Sequence, residues 1–222
     1  MKLHPKGTDL IYATRLGGTG HDEATGIILE PDGAVIVTGT TGSHDFPATV
    51  GSCCPHTGGG TDVFAAKISP SGSDLLFATY IGGSGDDEAT GCARCPDGSI
   101  AIAGNTRSSD FPATDAAFQQ TNNGTTNGFV THLNATGTGI VAATLLGGTG
   151  SDGIRGIAVD ADGGDCYVTG GVTGSPDFPT TDGAYQQTFM KDSSAFVARL
   201  NAPPDNTFLR NIPGRGELFN GN

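Results

Sequence analysis

Ile81-Gly82-Gly83-Ser84-Gly85-Asp86-Asp87-Glu88-Ala89-Thr90-Gly91 is the middle copy of a motif that occurs three times. The first copy runs from Leu16 to Gly26 and the third from Leu146 to Gly156. The Gly-Gly pairs begin at 17, 82 and 147, a spacing of 65 residues each time. Everything else keeps step with them. Asp-Gly turns begin at Asp32, Asp97 and Asp162. Asp-Phe-Pro begins at Asp45, Asp110 and Asp177, and closing apolar runs begin at Phe64, Phe129 and Phe196. The third copy is longer by two residues, near Gly164 and near Ser175-Pro176, at turn and loop positions where insertions cost little.

Each copy carries four short apolar runs. In the second copy, run A is Leu75 to Ile81, run B Gly91 to Cys95, run C Ile100 to Gly104 and run D Phe129 to Leu133. All are strand length and are bounded by Gly, Pro, Asp or Ser. Run C is apolar or small on both faces, which calls for cover on both sides. Run D alternates, with Phe64, Ala66 and Ile68 against Ala65 and Lys67. The B–C and D–A links are short turns and favour antiparallel neighbours. About 24 residues separate Gly39 from Phe64, so the C–D link is a long loop. The fold expected is all-β: a β-propeller of four-stranded antiparallel blades, with three blade repeats of about 65 residues. These repeats fill 1–201, as about 4–68, 69–133 and 134–200, and 202–222 reads as a non-repeating tail or linker. Met1-Lys2-Leu3 aligns with Ala66-Lys67-Ile68, so the chain opens on the end of a D run. Three blades are fewer than the four to eight of an ordinary ring. A segment of a longer propeller, a ring closed by self-association and an open arc all satisfy the pattern.

Composition bounds the partners. The 222 residues include 37 glycines and 12 prolines and carry a net charge of −12. That charge disfavours nucleic acid and an anionic membrane surface, and it permits cations and neutral polar partners such as sugars. Met1 to Tyr12 holds no apolar core long enough for a signal peptide, and no run approaches the roughly 20 apolar residues of a membrane-spanning helix.

Strand alternation puts the A–B and C–D loops on one side of every blade. That side carries 13 carboxylates against eight on the other, so a ligand is expected there. Within the opening motif, Asp22, Glu23, Asp86, Asp87, Glu88 and Asp152 offer hard oxygens of the kind calcium needs. The spacing matches no EF-hand loop, and Ser151 and Gly153 replace the flanking acids in copy three. The competing reading is that these aspartates bond backbone N–H groups within turns. No cofactor is expected otherwise. The motif has neither a Walker lysine nor a following helix, which argues against a phosphate loop. Cys92 and Cys95 share a strand, where residues three apart face opposite ways, so they read as core thiols. Cys53-Cys54-Pro55-His56 lies in a long loop, either as ordinary thiols or as soft-metal ligands. Five cysteines with no common repeat position form no disulfide framework. Phe46, Phe111 and Phe178, each followed by proline, read as anchors of the long loops. Arg94 stands where Leu29 and Val159 do, so it needs exposure or an acid beside it.

The set Leu-Gly-Gly-x-Gly, Pro-Asp-Gly, a Val-Thr-Gly strand end, Asp-Phe-Pro and Phe-Val-Ala-Arg-Leu resembles the bacterial β-propeller repeat family labelled SBBP, over roughly Lys2 to Asn201. The resemblance implies a propeller fold in extracellular or cell-surface proteins and implies no activity. The expected function is a non-catalytic scaffold or interaction module within a larger or oligomeric propeller. Its partners would be other proteins, further blades or copies of itself. The alternatives are a carbohydrate- or calcium-binding surface module and a polysaccharide-acting enzyme, glycosidase or lyase, on the acidic side.

Overall fold

A computed structural model describes residues 2, 3 and 5–202. The tail expected at 202–222 therefore lies outside the described residues, apart from Ala202. Every regular element is a strand: β1 (Lys2–Leu3), β2 (Leu10–Tyr12), β3 (Asp22–Leu29), β4 (Val35–Thr41), β5 (Asp62–Ile68), β6 (Leu75–Ile81), β7 (Asp87–Arg94), β8 (Ile100–Thr106), β9 (Asn127–Leu133), β10 (Ile140–Leu146), β11 (Ser151–Val159), β12 (Cys166–Thr173) and β13 (Ser193–Leu200). They form three antiparallel sheets in sequence order: sheet 1 (β3-β4-β5-β6), sheet 2 (β7-β8-β9-β10) and sheet 3 (β11-β12-β13). A separate β1-β2 hairpin precedes them. Among the described residues the stack does not close into a ring.

The sheets run out of phase with the repeat counted from run A. Runs B, C and D of one copy pair with run A of the next, as β5 with β6 and β9 with β10. The D–A link decides this. In the turn from β5 to β6 Ser69 N–H donates to the Asp74 carbonyl and Gly72 N–H to the Ser69 carbonyl, closing a tight hairpin. The glycine-rich motif is therefore the crossover from one sheet to the next, not a hairpin within a sheet.

Alternation gives each sheet a front and a back. The back of sheet 1 (Ile28, Ile36, Val63, Ala65, Phe77, Ile81) packs on the front of sheet 2 (Ile100, Ile102, Phe129, Leu133, Ala143, Leu145) in one core. The back of sheet 2 (Ala101, Ala103, Val130, Ala142, Leu146) packs on the front of sheet 3 (Cys166, Val168, Phe196, Leu200) in a second. Strand β8, covered on both sides, is buried at every position from Ile100 to Gly104. β12 buries only its front residues, with Cys166 and Val168 inside and Tyr167 and Thr169 exposed. β4 does the opposite: Ile36 and Thr38 are buried, while Val35 and Val37 are half-buried on the front.

Glu30 accounts for Arg94. Its carboxylate lies 3.1 Å from the Arg94 Nε and 3.4 Å from the Lys67 Nζ, joining both cations across the first junction. In the second junction the matching positions are Cys95 and His132. The His132 ring stands between two thiols, Cys95 Sγ at 3.7 Å from Nδ1 and Cys166 Sγ at 3.3 Å from Nε2.

The glycine that ends run C is a packing requirement in each copy. A Cβ at Gly104 would lie 2.0 Å from the Glu88 carbonyl oxygen and 2.6 Å from the Phe129 ring. Gly39 and Gly170 are equally close to backbone and to Phe64 and Phe196. Replacing Gly104 with Ala is expected to cost about 1–3 kcal/mol or more in urea unfolding, because backbone must move. Gly171→Ala, where nothing lies within 4 Å of the added carbon, should change stability little.

Candidate functional site

The glycine-rich crossover is held by the same hydrogen bonds three times. Asp22, Asp87 and Asp152 each accept one back from the motif's second glycine: Gly18 N–H at 2.9 Å, Gly83 at 2.7 Å and Gly148 at 2.6 Å. The same carboxylates accept the hydroxyls of Ser43, Ser108 and Ser175 at 2.7–2.8 Å. Those serines in turn accept the N–H of Gly20, Gly85 and Gly150. Asp45, Asp110 and Asp177 accept both the N–H and the hydroxyl of Thr19, Ser84 and Thr149. These bonds hold the three Asp-Phe-Pro carboxyls below the usual carboxylate range. The A–B crossover and the C–D loop thus share one side. The Asp-Phe-Pro rings anchor that loop: Phe111 stacks on Phe129 at 4.6 Å, while Phe46 packs tilted on Phe64 at 4.7 Å and Phe178 on Phe196 at 4.8 Å between centroids.

Of the six candidate cation ligands, Asp22, Asp87 and Asp152 turn into their own crossovers. Asp87 and Asp152 are fully buried there. Asp86 meets Arg107 at 3.5 Å, while Glu88 and Glu23 are exposed. Among the described residues, no three His, Cys, Asp or Glu side chains converge as a ligand set. His21, His44 and His56 are all exposed. Asp62 and Asp87 flank Gly82, whose added Cβ would lie 2.0 Å from one carboxyl oxygen and 2.7 Å from the other. Both side chains are buried, and burial, aided by the Asp62 charge, pushes the Asp87 carboxyl up. In the next junction Asn127 replaces Asp62, and its amide donates to the Gly148 carbonyl.

All five cysteines are free thiols. Cys53 lies 3.3 Å from the Thr79 hydroxyl, and its hydrogen bond with Cys54 lowers it to about 7 while raising Cys54. This thiol pair fills the place that Phe118 and Gln119 occupy in the second copy. There the Gln119 side chain braces the loop through Asn127 and Gly147.

Two concave surfaces lie beside these elements. An apolar groove of about 530 Å³ covers the front of sheet 1, lined by Tyr12, Leu16, Ile27, Val35, Val37 and Phe64. A polar cleft of about 210 Å³ lies between sheets 2 and 3, lined by Asp86, Glu88, Asn105, Arg107, Arg155 and several hydroxyl and glycine residues. The motif reading marked Asp86 and Glu88 but missed Asn105, Arg107 and Arg155. Their signal is departure from the repeat: Arg155 stands where Thr25 and Thr90 do, and Arg107 where Gly42 and Thr173 do.

No family model matches the chain, and no curated protein is similar to it.

The His132 environment makes a pH test. Desolvation, opposed by Asp97, lowers His132 from 6.5 to about 4. Between those values the unfolded chain binds the proton and the folded chain does not. The His132 contribution is therefore complete above pH 6.5 and lost as the pH falls toward 4, for roughly 3 kcal/mol in all. Urea midpoints from pH 7 to 4 should fall more steeply in the native chain than in His132→Leu. Equal slopes would rule this out.

Proposed function

We propose that this chain is a non-catalytic, propeller-type scaffold module that works by taking up further sheets on its two open faces. The supporting observation is the contrast between equivalent positions. Ile27 and Leu29, on the front of sheet 1, are 68% and 71% exposed. The counterparts of Ile27, Cys92 and Ile157, are partly buried against the preceding sheet, and of Leu29's counterparts Val159 packs likewise while Arg94 pairs with Glu30 of that sheet. On the back of sheet 3, Val197 is 80% and Tyr167 41% exposed. The counterparts of Val197, Ala65 and Val130, are buried completely. The same front-on-back packing occurs twice within the chain, so the two open faces are complementary by construction. Contiguous apolar patches of this kind mark interaction surfaces.

Edge strands add to this. Among the described residues, runs B, C and D of the third copy form sheet 3 without a fourth strand, whereas β2 is a run A that pairs only with the short β1. Leu10 and Ile11 of β2 are about half exposed. A run A supplied by a flanking blade or by a second copy would complete sheet 3, as β6 and β10 complete sheets 1 and 2. The SBBP-like propeller supplies the architecture that this stacking would extend, and the extracellular or surface setting comes with that resemblance.

The test is light-scattering mass with a hydrophobic dye. The chain should either associate with rising concentration or, as a monomer, bind the dye. Ile27→Glu with Val197→Glu should suppress whichever is seen. A monomer that binds no dye would overturn the proposal.

A further inference from the structure

We propose that the cleft between sheets 2 and 3 binds a small carboxylate-bearing sugar. The site goes beyond the scaffold role, since it lies within one chain and needs neither open face. Four departures from the repeat create it. Gly153 replaces the glutamate found at 23 and 88, and Gly171 replaces the Asn105 and Thr40 of the other copies. Both changes remove side chains from the cleft, and a Cβ added at Gly171 would meet nothing within 4 Å. Arg155 and Arg107 bring two guanidinium groups to walls that are threonine or glycine elsewhere.

The charges there are not used up internally. Among the described residues, the Arg107 side chain has only a long, exposed contact to Asp86, at 3.5 Å with the two side chains 58% and 47% exposed, and the Asp86 carboxylate otherwise accepts the Thr61 N–H at 3.2 Å. Among the described residues, Arg155 and Glu88 make no side-chain hydrogen bond or ion pair. In a chain of net charge −12, this cleft sets two cations against two anions, and so admits a carboxylate that the rest of the acidic side repels.

The remaining chemistry selects hydroxyls. No aromatic or large aliphatic side chain lines the cleft. Asn105 Oδ1 already accepts the Ile154 N–H at 2.8 Å, leaving its NH2 group as a donor. The Glu88 carboxylate is an acceptor, and Thr126, Ser151 and Thr173 supply groups that do both. Guanidinium forks match a carboxylate bidentately. The volume, about 210 Å³, falls below the roughly 300 Å³ at which drug-sized sites begin, and suits a single sugar ring.

Calorimetry and ligand-observed NMR with glucuronate test the site, with glucose, glycine and sulfate as comparison probes. Glucuronate should bind saturably and at least about tenfold more tightly than any of the three. Arg155→Thr, which restores the residue of the other copies, and Gly171→Asn, which refills the cleft, should each weaken it by about tenfold or more without lowering the melting temperature. Three results would overturn the proposal: no saturable glucuronate binding, equal binding of any comparison probe, or binding that survives both substitutions. None of them depends on whether the chain self-associates.

Discussion

The arrangement depends on one buried interaction: an aspartate carboxylate that accepts an N–H from the glycine four residues before it while a serine from the neighbouring loop donates to the same oxygen. At Asp87 and Asp152 this happens with the side chain fully buried. A crossover rich in glycine has little intrinsic preference for any path. The carboxylate gives it one. It satisfies backbone donors that would otherwise be buried unpaired, and it ties the crossover to the loop that starts with Asp-Phe-Pro. With the path set, the next B strand lies across the back of the previous sheet, and the front-on-back cores follow.

Much of this is legible in the chain. The spacing of 65 residues, the alternation in run D and the two-sided apolar run C lead to stacked antiparallel sheets. The Asp-Phe-Pro ring of each copy marks the loop anchor. Other features are not legible, for physical reasons. Short turns at both D–A and B–C make every neighbouring pair look like a hairpin, so the pattern does not say that run A closes the sheet formed by the preceding copy's B, C and D. Which faces stay open depends on packing between repeats, and identical residues such as Ile27 and Ile157 end in different environments, the first exposed and the second partly buried against sheet 2. The polar cleft was hidden because its key residues, Arg107, Arg155 and Gly171, are departures from the repeat, while motif reading follows what recurs.

The junctions also show how one geometry tolerates different chemistry. The first junction joins Lys67 and Arg94 through Glu30. The second uses a neutral imidazole between two thiols. At the open back of sheet 3, Arg199 reaches Asp165 and lies over the Tyr167 ring at 5.7 Å from its centroid. A cation or imidazole recurs at this height in each copy, and only the partner changes with what covers it. Repetition thus builds the frame, and local departures from it supply the surfaces that distinguish one sheet from another.

The most direct measurement compares Asp87→Ala with Asp22→Ala in urea unfolding. Asp87 is buried in a crossover between two complete sheets, whereas Asp22 opens the first sheet and is only half-buried. The loss at Asp87 should be about 3 kcal/mol, because buried glycine and serine donors lose their acceptor, and at Asp22 about 1 kcal/mol, because water can replace it. Equal losses, or a larger one at Asp22, would contradict the view that buried crossover aspartates set the stacking of the sheets.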